Sequence, residues 1–149
     1  MPKFPTPQSK RLRIGRVSLP HHIYLITIVT ESRAGIFSRH EAASTAARCL
    51  CEEAIVRHAD TLAFVVMPDP IHWLMQLKES VSLSEIVRRY KARVSVLLGR
   101  RIWQHSFHDH ALRAEEDIIG AARYLVANPL RAGLCEEIGN YPYWNAKWL

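Results

Sequence analysis

The chain has 149 residues, enough for one domain with a single hydrophobic core. Apolar residues make up 48% and charged residues 23%, which is usual for a soluble globular protein and argues against a largely disordered chain. No stretch reaches the length that a membrane-spanning helix needs, so we expect no membrane segment. The formal net charge is +6, and its distribution is informative.

The positive charge is concentrated in two segments. Residues 1–20 contain five basic residues and no acidic one, and residues 78–104 contain seven basic and two acidic residues. The rest of the chain has eight basic and twelve acidic residues and is therefore acidic. Two basic segments on an acidic body favour a polyanionic partner such as nucleic acid. A solubilising tail together with a solvated helix face would give the same pattern.

The first half of the chain predicts an arm, a strand, a helix and a hairpin. Three early prolines, at positions 2, 5 and 7, and the lack of a hydrophobic period predict a flexible basic arm over residues 1–20, before a domain over 21–149. Ile23–Thr30 is rich in β-branched residues and predicts a strand. A capping-box pattern at Ser38 predicts an alanine-rich helix to about residue 58. Thr61–Val66 and Ile71–Leu77 predict two strands whose short connection makes an antiparallel hairpin.

The second half predicts two helices around one strand. Ser82 with Glu85 is a second capping box, and apolar residues recur after it at helical spacing to Leu98. Phe107–Arg113 predicts a fourth strand, and a last helix extends to about Asn128, where the following proline ends it. The order β-α-β-β-α-β-α predicts an α+β, ferredoxin-like fold. It would have an antiparallel four-stranded sheet, two packed helices, and a C-terminal helix carrying a tyrosine.

His72 is a candidate metal ligand on the third predicted strand. A lone strand histidine is more often a hydrogen-bonded structural residue. Pro70 would share its face of the strand but has no side-chain ligand atom. The sequence therefore provides one half of a His-x-His pair.

Tyr124 and Asn128 lie four residues apart and would share one helix face. A tyrosine hydroxyl is a possible nucleophile, and an asparagine carbonyl oxygen suits Mg²⁺ or Mn²⁺. Without other information, a tyrosine at the edge of the core and an asparagine at a helix end explain the pattern as well. His108 and His110 would share a strand face opposite Asp109, which suits a metal, a phosphate or a polar strand.

Five segments of the chain resemble the REP-associated tyrosine transposases. These are relatives of the IS200-like, single-tyrosine HUH transposases of bacterial insertion sequences. The segments are Gly15–Pro20, Phe64–Leu77, Ile102–Arg113, Ala121–Leu134 and Tyr141–Leu149. The fourth segment is the most specific, because it contains Tyr-x-x-x-Asn-Pro followed by Arg-Ala-Gly.

The resemblance implies a role for each candidate residue. Tyr124 would attack DNA, and His72 and Asn128 would bind a divalent metal, Mg²⁺ or Mn²⁺. Pro70 stands where the family has its first signature histidine, so one of three protein ligands is missing. Water can take that place on Mg²⁺, but we expect weaker metal binding and lower activity.

The resemblance also implies a reaction and a partner. The reaction would be metal-dependent cleavage and rejoining of single-stranded DNA at hairpins, through a 5′-phosphotyrosine, and the hairpins would be repetitive extragenic palindromes. The alternative is a catalytically impaired hairpin-binding protein, because of Pro70. A basic RNA- or DNA-binding domain unrelated to transposition is a third hypothesis.

We expect basic residues of both segments to bind the DNA backbone. They are Arg11, Arg13, Arg16, Arg88, Arg89, Lys91 and Arg93. Trp103 and Phe107 would either stack on unpaired bases or belong to the core. Three cysteines without zinc spacing, and an N-terminus without an apolar signal core, predict a cytoplasmic protein. The resemblance implies that it is bacterial and nucleoid-associated. The oligomeric state, monomer or homodimer, stays open.

Overall fold

The computed structural model describes residues 21–113 and 117–148. The strands in these residues are β1 (Ile23–Ile28), β2 (Ala59–Val66), β3 (Ile71–Leu77), β4 (His108–Ala111) and β5 (Trp144–Ala146). The α-helices are α1 (His40–Cys49), α2 (Glu53–Val56), α3 (Leu83–Leu98), α4 (Ile118–Val126) and α5 (Asn128–Arg131). The predicted arm, with Arg11, Arg13 and Arg16, lies outside the described residues.

The strands of the described residues form one antiparallel sheet in the order β4-β1-β3-β2-β5. The fold is therefore α+β, and the predicted hairpin of β2 and β3 is confirmed. The prediction of a four-stranded sheet is wrong, because β5 adds a fifth strand along β2. The three residues of β5 are too few to show the alternation of apolar and polar residues that predicts a strand. The ferredoxin-like arrangement itself stays a prediction.

Successive strand residues point to opposite faces of the sheet, and each face is covered by helices. On one face, Ile26 and Trp73 pack with buried residues of α1 and α3. On the other face, Leu74 and Val65 pack with buried residues of α4. His72 therefore lies on the face that α4 covers, because it alternates with Trp73 along β3.

The first long helix is shorter than predicted. Helix α1 ends at Cys49, and Glu52 has extended backbone angles (φ −71°, ψ 149°) before α2 begins. The hydroxyl of Ser38 does not cap α1: Arg39 is the residue before the helix, which begins one residue later than the capping-box pattern predicts. The Ser38 hydroxyl instead donates to the carbonyl of Gly35, a local bond of the kind that competes with capping.

The two later helices follow the predictions to different degrees. Helix α3 is confirmed, and Ser82 Oγ accepts a hydrogen bond of 3.1 Å from the backbone N–H of Glu85. Helix α4 ends at Val126, two residues before the predicted end. Pro129 then lies in the first turn of α5, where its missing N–H costs nothing. No helix of the described residues is long and apolar enough to span a membrane.

Candidate functional site

Three polar side chains form a row across the sheet. Thr27 on β1 pairs with His72 on β3 and with His108 on β4. Paired residues point to the same face, so the row lies on the side of the sheet that α4 covers. The residues lie toward the end of β1, beyond the apolar residues that pack beneath α4.

His72 is held and kept neutral by its surroundings. Its Nδ1 lies 3.2 Å from the hydroxyl of Thr27, so Nε2 is the ring nitrogen outside this hydrogen bond. Burial first, and then the charges of Arg131 and Arg33, lower the pKa of His72 to about 4, against an opposing effect of Asp69. At neutral pH the imidazole is therefore uncharged and keeps a lone pair.

Arg131 contacts both candidate residues of the tyrosine segment. Its Nη2 donates hydrogen bonds of 2.7 Å to the backbone carbonyl of Tyr124 and to Oδ1 of Asn128. Its guanidinium carbon lies 3.8 Å from the centroid of the Tyr124 ring, a cation–π contact. Arg131 therefore joins Tyr124 and Asn128, and its charge contributes to the lowered pKa of His72.

Asn128 is joined to Tyr124 in a different way from the prediction. Helix α4 ends before Asn128, so the two residues do not share one continuous helix face. The amide nitrogen of Asn128 donates 3.0 Å to the carbonyl of Leu125, which turns its oxygen toward Arg131. The guanidinium therefore bridges the two residues.

A divalent metal with three protein ligands does not fit this arrangement. Pro70 has no side-chain ligand atom. The side-chain oxygen of Asn128, the atom that would bind a metal, already accepts a hydrogen bond from Arg131. Within residues 21–113 and 117–148, no three His, Cys, Asp or Glu side chains are grouped so as to hold a metal ion. His72 and Asn128 stay predicted ligands.

The turn that contains Pro70 is fixed to β1 by the residue before it. The carboxylate of Asp69 accepts hydrogen bonds from the backbone N–H of Thr30 at 2.8 Å and from its hydroxyl at 3.0 Å. Arg33 Nε donates to the other carboxylate oxygen. This cluster sets where β3 begins, and so where His72 lies.

His108 and His110 share the face of His72, and Asp109 is buried on the opposite face, as predicted. Two strand spacings separate β4 from β3, which is about 10 Å of backbone. His108 therefore does not occupy the place of the histidine missing at position 70, which would stand two residues from His72 in the same chain segment.

The predicted DNA-binding residues of the second basic segment lie on α3, which covers the opposite face of the sheet from α4. Arg88 and Arg89 both donate to Glu85, and Arg93 donates to Glu52. The hydrogen bonds from Arg88 and Arg89 lower the pKa of Glu85 to about 2. The structure does not bring these arginines together with Tyr124 and His72.

Lys91 of the same segment is used within the protein. Its Nζ donates 2.9 Å and 3.0 Å to the backbone carbonyls of Gln104 and Ser106. Phe107 is buried in the core, and the indole N–H of Trp103 donates to the carbonyl of Lys91. Of the two predicted roles for these aromatic residues, the structure therefore favours the core.

Sequence reasoning missed Thr27, Asp69 and Arg131. Thr27 and Asp69 are recognisable only from strand register and turn contacts. Arg131 had a signal, because it stands three residues after Asn128 in the tyrosine segment.

A match to a family model identifies the class of protein to which the chain belongs. Residues 18–112 match the family model described as "Transposase IS200 like", which covers more than half of the chain. The chain therefore belongs to the IS200-like transposase family. The matched residues include Pro70 and His72 and end before Tyr124.

Two similar proteins have a more specific description than the family as a whole. A REP-associated tyrosine transposase of Escherichia coli K12 is 29% identical over 83 residues, covering 54% of this chain and 50% of that protein. A Haemophilus influenzae protein described as "Putative REP-associated tyrosine transposase" is 27% identical over 100 residues, covering 56% of this chain and 57% of that protein. The chain thus spans about half the length of the curated relatives that it matches. The resemblance to this group is confirmed.

One solved structure shares the fold. It is described as the REP-associated tyrosine transposase bound to a REP hairpin, and it matches with a TM-score of 0.69 over 87% of this chain and 79% of that one. The identity is 21%, so the match establishes a common fold.

Proposed function

We propose that the chain binds DNA hairpins flanked by single strands, and that it cuts and rejoins one strand through Tyr124. One observation carries the proposal: Tyr124 lies on α4, and Arg131 joins its ring to the side-chain oxygen of Asn128. The description of the solved relative, which is bound to a REP hairpin, supports the choice of DNA. The proposed hairpins are repetitive extragenic palindromes.

The chemistry is a transfer between two oxygen atoms. The hydroxyl oxygen of Tyr124 attacks a backbone phosphorus and forms a 5′-phosphotyrosine bond. The bond from phosphorus to the 3′-oxygen breaks, and that oxygen leaves as a 3′-hydroxyl that takes up the proton the tyrosine gives up. No water is consumed, so a second 3′-hydroxyl reverses the step onto another strand. Members of this family generally depend on a divalent metal, and His72 and Asn128 are the ligands we propose.

An adduct assay tests the proposed reaction. Wild-type protein incubated with a hairpin oligonucleotide that has single-stranded flanks, and with Mn²⁺, should give a covalent complex that survives denaturing electrophoresis. Tyr124→Phe removes the attacking oxygen and should abolish that complex. Tyr143→Phe is the matched control, because Tyr143 also has a hydroxyl but pairs with His40 away from Arg131. An adduct that persists in Tyr124→Phe contradicts the assignment.

A second candidate function is hairpin binding without turnover. Pro70 and the hydrogen bond between Arg131 and Asn128 favour it, because both weaken a metal site. Hairpin binding at nanomolar to micromolar concentration without any adduct would then be expected from the wild type. Efficient cleavage by the wild type excludes this candidate.

A further inference from the structure

The guanidinium of Arg131 has no carboxylate partner among the residues that the structure describes. Other arginines of these residues do, namely Arg33, Arg57, Arg88, Arg89 and Arg93. The oxygens that Arg131 contacts are the neutral ones of Tyr124 and Asn128. Within residues 21–113 and 117–148 no ion pair therefore neutralises its positive charge, which can attract an anionic partner.

The geometry of Arg131 leaves part of the guanidinium available. Both of its hydrogen bonds come from Nη2, whereas an arginine presents five N–H groups in a planar fork. The residue is exposed, so DNA can reach Nη1 and Nε. A planar, unneutralised fork matches the oxygens of a phosphate better than those of a neutral ligand.

We propose that Arg131 is a phosphate-binding and positioning residue of the tyrosine site. The guanidinium lies over the Tyr124 ring, and its Nη2 holds the Tyr124 carbonyl and the Asn128 oxygen, while Nη1 and Nε bind a phosphodiester of the DNA strand. This inference rests on the proposed function, since it takes DNA as the ligand. It adds a cation that belongs to the protein itself and acts without a bound metal.

The competing explanation is a structural one. An arginine near a helix C-terminus commonly donates to the last carbonyls, and Tyr124 lies in the last turn of α4. A residue with only this function would affect the stability of the protein and leave the salt dependence of DNA binding unchanged. The two explanations therefore differ in a measurable quantity.

The test is the salt dependence of hairpin binding, measured by fluorescence anisotropy in EDTA so that no metal contributes. Loss of one phosphate contact should reduce the slope of log K against log[salt] by about 0.7 to 0.9. We expect this reduction in Arg131→Gln. Arg131→Lys keeps a single positive charge and should restore the slope. Arg57→Gln is the matched control, because it removes one exposed positive charge beneath the opposite sheet face and should leave the slope at the wild-type value.

The outcomes separate the inference from the proposed function. A wild-type slope in Arg131→Gln, with a lower melting temperature, overturns the inference and leaves hairpin binding intact. Absence of hairpin binding by the wild type overturns the proposed function, and the inference with it. NMR of the wild type gives a readout that needs no variant. The Nε–H resonance of Arg131 should shift on titration with hairpin DNA, that of Arg57 should not, and equal behaviour of both contradicts the proposal.

Discussion

At the scale of single residues, position 70 decides whether this end of β3 offers one imidazole or two to a metal ion. Replacing Pro70 by histidine adds a donor two residues before His72, at the residue just before β3 begins. We expect Pro70→His to bind Mn²⁺ more tightly than the wild type by at least about tenfold, because even an indirect partner of a metal ligand contributes that much. Isothermal titration calorimetry at pH 7, where His72 is uncharged, measures the difference.

Pro70→Ala is the control for this substitution, since it removes the proline ring without supplying a donor atom. Its Mn²⁺ affinity should equal that of the wild type. A gain in Pro70→Ala as large as that in Pro70→His would attribute the effect to the backbone and contradict the ligand argument. Equal affinities in all three proteins would show that a side chain at position 70 does not reach a metal bound by His72, and would contradict the prediction.

At the scale of elements, the turn between β2 and β3 depends on one carboxylate. The side chain of Asp69 is only 5% exposed, and it accepts hydrogen bonds from Thr30 and Arg33. Asp69→Asn removes the negative charge and leaves one oxygen for three donors. We expect the free energy of unfolding to fall by about 2 kcal/mol, the usual range for hydrogen bonds to a charged group. Urea denaturation measures it.

Asp60→Asn is the comparison for the turn. Asp60 pairs with Lys147 at 3.0 Å, but both side chains are about half exposed. Exposed pairs contribute little, so a loss of less than about 1 kcal/mol is expected. Equal losses in the two variants would mean that the turn cluster does not stabilise the sheet.

Elements were predictable where their signals are local. Helix α3 has its own cap at Ser82, and its sixteen residues show helical spacing. The predicted bounds of β3 are the same as the observed ones. Strand β5 has three residues and forms only by pairing with β2, about eighty positions earlier in the chain. The predicted start of α1 was one residue early, since Arg39 and not Ser38 precedes the helix. The Ser38 hydroxyl donates to the nearby Gly35 carbonyl, a contact that a spacing pattern does not reveal.

The candidate site divides in the same way. Tyr124, His72 and Asn128 were found from short motifs, because their chemistry is visible in the residue types. The contact of Arg131 with the Tyr124 ring joins residues of two helices, α4 and α5, and helical periodicity did not predict the break between them. The pairing of Arg93 with Glu52 spans forty-one positions, so no charge count could find it.

At the scale of the whole molecule, the two basic segments are expected to bind DNA unequally. The arginines of α3 lie on the opposite side of the sheet from Tyr124 and must give up Glu85 or Glu52 before they bind a phosphate. Residues 1–20 contain no acidic residue that could neutralise Arg11, Arg13 and Arg16. We therefore expect the arm to provide more of the electrostatic affinity for DNA.

Two triple variants with the same loss of charge test this difference. Replacing Arg11, Arg13 and Arg16 by glutamine should reduce the salt slope of hairpin binding by about 2 to 3, the value for three lost phosphate contacts. Replacing Arg88, Arg89 and Arg93 removes the same charge and should reduce the slope by less than about 1, because those side chains already have carboxylate partners. A larger reduction in the second variant would place the DNA along α3, and it would require a strand that passes around the edge of the sheet to reach Tyr124.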